Sequence, residues 1–110
     1  MCVFCEIIKG NIPSKKVYED DKIIVIEDIA PAAPVHLLAI SKEHIESAND
    51  ISSENSNYVA HIFEKLKDIT ASQGISSYRV INNCGEDAGQ TVKHLHFHIL
   101  GGIEMGEKIL

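Results

Sequence analysis

The sequence predicts an α+β domain with an antiparallel sheet of about five strands, one long helix and a short N-terminal helix. Apolar residues recur at helical spacing over 59–70 and charged residues lie between them, which indicates one long amphipathic helix. Elsewhere, short apolar runs alternate with polar or proline-containing turns, a pattern typical of strands. One long helix among strands joined by short connections favours the α+β class.

The elements are expected in a definite order along the chain. Val3, Phe4, Ile7 and Ile8 lie at helical spacing, and Gly10 can end that first helix in the left-handed conformation. The five strands are expected at 17–18, 23–26, 35–40, 78–82 and 94–100.

The connections between these elements also leave signals. The polar segment 19–22 suits a tight turn, and two prolines make 30–34 a rigid loop, because proline fixes φ and donates no ladder hydrogen bond. Ser52 or Ser53 can cap the N-terminus of the long helix, and Gly74 suits the position after its C-terminus.

Length, composition and charge narrow the class of protein. A chain of 110 residues is expected to form one domain spanning 1–110, without a linker. Hydrophobic residues make up 45% and charged residues 24%, which excludes disordered, collagen-like and coiled-coil chains. The formal net charge of −6 argues against nucleic-acid binding, which requires many Lys and Arg contacts to phosphates. A small anionic ligand remains compatible, because backbone N–H groups and histidines bind phosphate without net positive charge.

Localisation is expected to be cytoplasmic, with no membrane association. Segment 1–6 lacks the basic and long apolar regions of a signal peptide. The longest mostly apolar stretch, 29–40, falls short of the ~18 residues that a membrane span needs. The three cysteines are an odd number, and without an export signal they point to reduced thiols.

The segment 94–100 carries the strongest chemical signal. In a strand, His94, His96 and His98 share one face, whereas the apolar residues between them face the core. The histidine face has three interpretations: a solvated polar surface, a metal site, or a nucleophilic histidine flanked by two that bind phosphate. The preceding loop, 82–91, favours the third, because its glycines allow a close backbone approach to a ligand and Gln90 and Thr91 add donors.

The segment 89–102, GQTVKHLHFHILGG, resembles the signature of the histidine triad (HIT) family of nucleotide hydrolases and transferases. Other matching pieces lie at 4–8, 12–13, 27–31, 34–36 and 42–45, so the resemblance extends over nearly the whole chain and implies a HIT-like fold. The ending Gly101-Gly102 is similar to the Hint branch, the purine nucleoside phosphoramidases, whereas Fhit-like enzymes typically have Pro-Arg there.

This resemblance implies a catalytic role for His96. As the middle histidine of the triad, His96 would attack the α-phosphorus of a purine nucleoside 5′-phosphoramidate or a related nucleotidyl anhydride. A covalent nucleotidyl-histidine would form, and water would then hydrolyse it. A neutral imidazole suits this task, since one nitrogen attacks while the other donates to a carbonyl. The resemblance also implies a homodimer.

The substrate-binding residues follow from the same resemblance, position by position. His36 and His98 match histidines that contact phosphate oxygens, and Thr91 matches a hydroxyl near the phosphate and leaving group. Asp28 matches the carboxylate that accepts from the ribose hydroxyls, with Ile29 beside it against the nucleoside. The loop residues expected to contact phosphate or ribose are Asn83 (with Asn82 as the alternative register), Gly89 and Gln90.

A second site is expected at the N-terminus. Cys2 and Cys5 form a C-x₂-C pair that could be redox-active, pack as ordinary apolar residues, or bind a metal. The family resemblance implies one structural zinc per chain, with His44 and His94 as the other two ligands. Such a Cys₂His₂ set is closed, so no catalytic metal is expected. Cys84 matches no ligand position.

Three other functions remain open at this point. The first is a Fhit-like dinucleoside polyphosphate hydrolase. The second is a nucleotide-binding regulatory protein whose hydrolysis is incidental. The third is a zinc-dependent hydrolase that uses the triad histidines as metal ligands.

Overall fold

A five-stranded antiparallel sheet forms the centre of the computed structural model, which describes residues 1–110. The strands are β1 (Lys16–Glu19), β2 (Ile23–Glu27), β3 (Val35–Ser41), β4 (Tyr78–Ile81) and β5 (His96–Gly101), in the spatial order β1-β2-β3-β5-β4. Two helices complete the fold, α1 (Val3–Lys9) and α2 (Ser56–Ser72). The predicted α+β class, with its long and short helices, is confirmed.

The long helix covers one face of the sheet. Alternate residues of three strands pack there against the buried face of α2: residues 23 and 25 of β2, 37 and 39 of β3, and 95, 97 and 99 in and just before β5. Their odd numbering follows from the strand period of two, because alternate side chains point to the same side. The expectation that Leu95, Phe97 and Ile99 face the core is confirmed, as all three are buried.

The short helix covers part of the opposite face, which also carries the histidines. Phe4 and Ile7 of α1 pack on Ile24, Ile26, Leu38 and Ile40 in a second apolar cluster. A helix of seven residues is too short to be stable alone, so burial of its apolar side holds it in place. This face is therefore part apolar core and part polar site.

The start of α2 differs from the expectation that Ser52 or Ser53 caps it. The helix begins at Ser56, with Asn55 in the N-cap position. The Asn55 amide accepts from the Ser52 N–H at 2.8 Å and donates to the Asp50 carbonyl at 3.0 Å, which builds a turn before the helix. At the other end, Gly74 is left-handed with φ +76°, as expected after the helix.

Strand β5 is shorter than the predicted 94–100, because it begins at His96. The His94 N–H bonds the Val92 carbonyl at 2.9 Å, and the Leu95 N–H bonds Ile45 at 2.6 Å, so the chain turns before it enters the sheet. From there, β5 pairs with β3 in a continuous register from His96 opposite Ile40. His94 therefore lies at the end of the sheet rather than within the strand.

Strand β4 also ends one residue earlier than expected. Asn82 leaves the strand, and its side-chain amide donates to the His96 carbonyl at 2.9 Å.

None of the helices combines the length and the apolar character needed to span a membrane.

Asp20 ties the β1–β2 turn to α2. Partial burial alone would raise the pKa of Asp20, but its carboxylate accepts from His61 Nε2 at 2.6 Å, from the Tyr18 hydroxyl at 2.7 Å and from the N–H groups of Lys22 and Ile23. These bonds outweigh the burial and hold the pKa of Asp20 well below its ordinary value. The ionised carboxylate is thus a stabilising cross-link.

We predict that Asp20→Asn lowers the free energy of unfolding at pH 7 by about 2 kcal/mol, because it removes charge-assisted hydrogen bonds. A depressed pKa contributes stability above the unfolded value of about 3.9 and loses it as pH falls further. The difference between wild type and Asp20→Asn should therefore shrink from pH 5 to pH 3 in urea titrations. Asp21→Asn is the control, because the Asp21 carboxylate accepts no hydrogen bond, and an equal effect of both changes would contradict this role.

Candidate active site

Histidines from two neighbouring strands meet on the sheet face that α1 partly covers. His96 and His98 lie on β5. His36 lies on β3, two residues from Leu38, which is the residue paired with His98. The His96 and His98 ring centroids are 5.2 Å apart, as are those of His36 and His98. The structure thus places three of the sequence-predicted histidines in one row.

The orientation of His96 is set by its own backbone neighbourhood. His96 Nδ1 lies 2.6 Å from the His94 carbonyl oxygen, which can only accept, so Nδ1 carries the proton. Nε2 is then an unprotonated lone pair. His96 Nε2 has no hydrogen-bond partner. Every fully buried side-chain nitrogen and oxygen of the structure does have one, so Nε2 must lie at the accessible surface. The Phe4 ring packs edge-on against the imidazole at 4.9 Å and 80°.

Burial keeps these rings in the neutral form. His96 is only 8% exposed, and this burial lowers its pKa below the ordinary histidine value, although the hydrogen bond to the His94 carbonyl opposes the shift. Burial also lowers the pKa of His98, and the neighbouring His96 and His36 lower it further. A neutral imidazole with a free nitrogen can act as a nucleophile at neutral pH.

A directional chain of hydrogen bonds determines which nitrogen of His98 is protonated. The Ala32 N–H donates to His36 Nδ1 at 2.9 Å, so the proton of a neutral His36 is on Nε2. That Nε2–H donates to His98 Nδ1 at 2.9 Å, which places the His98 proton on Nε2. The chain therefore ends with an N–H donor at His98, beside the lone pair of His96.

Asp28 and Ile29 stand at the edge of the site, between β2 and β3. The Asp28 N–H bonds the His36 carbonyl at 3.0 Å, and the carboxylate lies 3.3 Å from His36 Nε2. Its other oxygen accepts from the Ala30 N–H at 2.8 Å. Ile29 is fully exposed, so an apolar side chain stands in water at the rim of the site.

A cavity of about 410 Å³ opens in front of His96 and His98. Asp28, Ile29 and Thr91 also line it, so five of the sequence-predicted site residues share one space. The other wall was not predicted from the sequence. It comes from the apolar side of α1 and the segment after it: Val3, Phe4, Ile7, Ile12, Pro13 and Ser14. The helical spacing of the α1 residues was a signal for a packed face, though it could not show that this face adjoins a site.

Three of the predicted loop contacts lie outside this cavity lining. Asn83 and Gly89 adjoin one another, with the Asn83 amide 3.7 Å from where a Cβ of residue 89 would be. The buried Gln90 amide is fully engaged: it donates to the carbonyls of Glu46 and Val92 and accepts from the Gly85 N–H. These bonds hold the loop together and leave Gln90 no free group to offer a ligand.

The second predicted cluster lies at the end of the sheet. The ligand atoms of Cys2, Cys5, His44 and His94 all lie within 4.8 Å of one another. His94 Nδ1 is 3.3 and 3.6 Å from the two Sγ atoms and 3.1 Å from His44 Nδ1. The ligands of a tetrahedral zinc would be separated by roughly 3.5 Å, from bonds of about 2.3 Å to sulfur and 2.0–2.1 Å to nitrogen.

The ring of His94 is oriented toward this cluster. Its Nε2–H donates to the Ser41 carbonyl at 2.6 Å, so Nδ1 is a lone pair facing the thiols. Burial lowers the pKa of His94, which also favours the unprotonated ligand form. Burial, together with the hydrogen bond and charge of the neighbouring Cys2, raises the pKa of Cys5. The donor set therefore fits zinc.

Asp28, His36 and His98 form another close group of potential ligands, with their donor atoms within 4.8 Å of one another. Here the hydrogen bonds argue against a metal. The Ala32 N–H occupies the His36 Nδ1 lone pair, so the nitrogen that faces the other two residues is the protonated one.

Fold and site together define an α+β protein with a row of histidines at a cavity on one sheet face. A family model described as "Scavenger mRNA decapping enzyme C-term binding" matches residues 1–108. An uncharacterized HIT-like protein of Rickettsia prowazekii is 45% identical over 103 residues, which cover 91% of this chain and 86% of that protein. The chain therefore belongs to the HIT family, as the resemblance predicted.

Solved structures agree with this assignment. A HIT family hydrolase from Clostridium thermocellum superposes with a TM-score of 0.97 at 50% identity, over 99% of this chain and 96% of that chain. A histidine triad protein from Clostridium difficile superposes with a TM-score of 0.92 at 45% identity, over 97% and 95% of the two chains.

Proposed function

We propose that this protein is a nucleotide hydrolase that cleaves purine nucleoside 5′-phosphoramidates, or related nucleotidyl anhydrides, at the α-phosphorus. The observation that carries the proposal is the free Nε2 of His96, which is held unprotonated at a cavity of about 410 Å³. The site has few charged groups, so the phosphate of an anionic substrate must be bound by neutral N–H donors. The Nε2–H of His98 is one such donor.

His96 acts as the nucleophile in this proposal. Its Nε2 forms a bond to phosphorus as the bond to the leaving group breaks, which gives a covalent nucleotidyl-histidine. The modified imidazole keeps its Nδ1 proton and becomes positively charged, and the His94 carbonyl at 2.6 Å stabilises that charge. Water then attacks phosphorus and releases the nucleotide, which restores neutral His96.

The surrounding residues bind the rest of the substrate. The His98 Nε2–H donates to a phosphate oxygen. His36 lies outside the cavity lining and acts through His98, which it holds in that tautomer. The Asp28 carboxylate at the rim accepts from the ribose hydroxyls, and the exposed Ile29 packs on the purine. Thr91 places a hydroxyl beside the leaving group. Asn83, Gly89 and Gln90 shape the loop that carries Thr91.

The Gly101-Gly102 ending supports the phosphoramidase branch over a Fhit-like dinucleoside polyphosphate hydrolase. A Cβ at Gly101 would clash with the Ile75 side chain and lie 3.2 Å from the Ser77 carbonyl. Gly102 has φ +84°, and a Cβ there would lie 3.1 Å from the Pro34 Cβ. A larger residue at either position would therefore have to displace these neighbours, and at position 102 it would also be strained.

We further propose that Cys2, Cys5, His44 and His94 hold one structural zinc per chain, with no catalytic metal. When bound, the ion supplies four strong bonds that fasten the N-terminal segment to the end of the sheet. His96 is not one of its ligands.

The remaining assignments also rest on the family resemblance and the composition. We propose that residues 1–110 are a single domain, because both apolar clusters share one sheet. The protein acts as a homodimer in the cytoplasm, where its three free cysteines stay reduced. It binds neither nucleic acid nor membrane.

We predict that His96→Ala lowers turnover of an adenosine phosphoramidate by at least ~10³-fold, since no other cavity residue presents an unprotonated ring nitrogen. Substrate affinity, measured by calorimetry, should stay within a few-fold of wild type. His61→Ala, on the distant helix α2, is the matched control and should retain activity. Turnover of His96→Ala within tenfold of wild type would remove His96 from the mechanism.

Substitutions of the phosphate-binding and the ribose-binding residues should change different kinetic quantities. His98→Ala should lower kcat by ~10²-fold, the usual scale for losing one transition-state donor. His36→Ala should lower kcat to a similar degree, because it removes the partner that holds the His98 Nε2–H toward the phosphate. Asp28→Ala should mainly weaken binding of the nucleoside, seen as a higher Kd for AMP. If Asp28→Ala changed kcat alone and left the AMP affinity intact, the ribose assignment would be wrong.

The metal assignment predicts one zinc per chain by elemental analysis of protein prepared with zinc. Cys5→Ser should lose the metal and lower Tm, because a ligand that binds only the native state adds RT ln(1 + [L]/Kd) of stability. It should keep measurable phosphoramidase activity. Cys84→Ser is the control and should keep its zinc. Wild type without stoichiometric zinc would leave Cys2 and Cys5 as packing residues.

A further inference from the structure

Cys2 and Cys5 stand next to each other at the start of α1. Cys2 is the N-cap residue, and its Sγ accepts from the Cys5 N–H at 3.4 Å. The two Sγ atoms lie within 4.8 Å of each other. Residues three apart in a helical turn have Cα atoms about 5 Å apart, within the roughly 4.4–6.8 Å that a disulfide allows. A disulfide between Cys2 and Cys5 therefore requires rotation of the two side chains and little movement of the backbone.

Both thiols can be reached from solvent. Cys2 and Cys5 are partly exposed, whereas Phe4 between them is buried. Cys2 also lines a surface cavity of about 500 Å³, so a small oxidant has access to its sulfur. The third cysteine, Cys84, is not part of this donor cluster. The chain thus has one pair of neighbouring thiols and one separate thiol.

The donor cluster makes the pair reactive as well as close. Cys2 Sγ is 3.3 Å from His94 Nδ1, and Cys5 Sγ is 3.2 Å from His44 Nδ1. In the proposed zinc site both sulfurs are bound as thiolates, the form that attacks peroxides. The same sulfurs supply half of the ligands, so a bond between them leaves only two imidazoles for the ion. Two imidazoles are an incomplete set for structural zinc, which takes four ligands.

We propose that Cys2 and Cys5 form a reversible redox site, in which a peroxide converts the thiol pair to a disulfide and zinc is released. This inference rests on the proposed zinc site and adds an oxidised state to it. In a reducing compartment the thiol pair is the resting state, and dithiol reductants return the protein to it after oxidation. Redox activity and metal binding, two of the interpretations of the C-x₂-C pair, thus describe two states of one site.

The oxidation balances with hydrogen peroxide as the co-reactant. One thiolate attacks a peroxide oxygen, the O–O bond breaks, and a sulfenic acid and hydroxide form. The other thiolate attacks the sulfenic sulfur, so the S–S bond forms as the S–O bond breaks and a second hydroxide leaves. Two protons from solvent convert the hydroxides to water. The two sulfurs lose two electrons in total, and the peroxide gains both.

Oxidation of the pair also affects the nucleotide cavity, through α1. Phe4 lies between the two cysteines in sequence, packs edge-on against His96 at 4.9 Å and lines the cavity, as Val3 does. A helix of seven residues is not stable alone, so loss of the bonds that fasten its first turn loosens this wall. His96 and His98 are not zinc ligands, so their own hydrogen bonds are unchanged. Nucleotide binding is therefore weakened while the imidazoles stay in place.

The test treats zinc-loaded protein with a few equivalents of hydrogen peroxide and measures three quantities. Zinc release is followed with a chromogenic chelator, and one ion per chain should appear. The tryptic peptide of residues 1–9 contains Cys2 and Cys5 but not Cys84, so a disulfide within it appears as a loss of two hydrogen masses. The Kd for AMP should rise by about fivefold, the lower end of the usual range for coupled sites. Dithiothreitol with added zinc should reverse all three changes.

Two variants separate the thiol pair from general oxidation of the protein. Cys84→Ser keeps both neighbouring thiols, so it should release zinc and form the disulfide as wild type does. Cys2→Ser should form no disulfide, and peroxide should leave Cys5 as a sulfenic acid that dimedone traps. The measurements on wild type and Cys84→Ser do not depend on how well Cys2→Ser folds.

The outcomes separate this proposal from the zinc site on which it rests. If peroxide leaves residues 1–9 of zinc-loaded wild type reduced, or releases zinc only as the cysteines become sulfinic or sulfonic acids, the redox site is wrong while the zinc site stands. An oxidised protein with an unchanged Kd for AMP would contradict the effect on the cavity. Wild type that binds no zinc before oxidation would overturn both proposals.

Discussion

The rest of the structure depends on the hydrogen bonds and contacts of a single residue, His94. Its Nε2–H is fixed by the Ser41 carbonyl at 2.6 Å, so Nδ1 faces Cys2 Sγ at 3.3 Å and the rest of the donor cluster. Its own carbonyl accepts from His96 Nδ1 at 2.6 Å, which leaves the other nitrogen of His96 free. One buried residue thus joins the end of the sheet, the N-terminal segment and the proposed nucleophile.

This arrangement explains why a seven-residue helix belongs to the site. Helix α1 cannot persist alone, yet Phe4 packs edge-on against both His94 and His96 and lines the cavity. The thiols of Cys2 and Cys5 hold the start of this helix beside His94. Whatever fastens the N-terminal segment therefore also supports one wall of the cavity and one side of the His96 ring.

Much of the fold and the site could be predicted from the sequence, because strand alternation and helix periodicity are local. The alternation of His96 and His98 with Phe97 assigned the core and site faces correctly. The start of β5 could not be predicted, since the turn at His94 depends on hydrogen bonds to Val92 and, for the next residue, Ile45. Two further features could not be predicted either: the hydrogen bonds of the Gln90 amide to three backbone groups, and the contribution of α1 to the cavity wall. Both include contacts between residues that are distant in sequence.

In the proposed mechanism, His96 presents its free nitrogen to phosphorus and forms a covalent bond with it. The most direct measurement is mass spectrometry of wild-type protein quenched with acid-free denaturant during turnover of an adenosine phosphoramidate. The covalent mechanism predicts a transient adenylyl adduct on the peptide that contains residues 94–98, with fragmentation placing it on His96. An adduct on another residue, or none under conditions where product accumulates, would contradict the account.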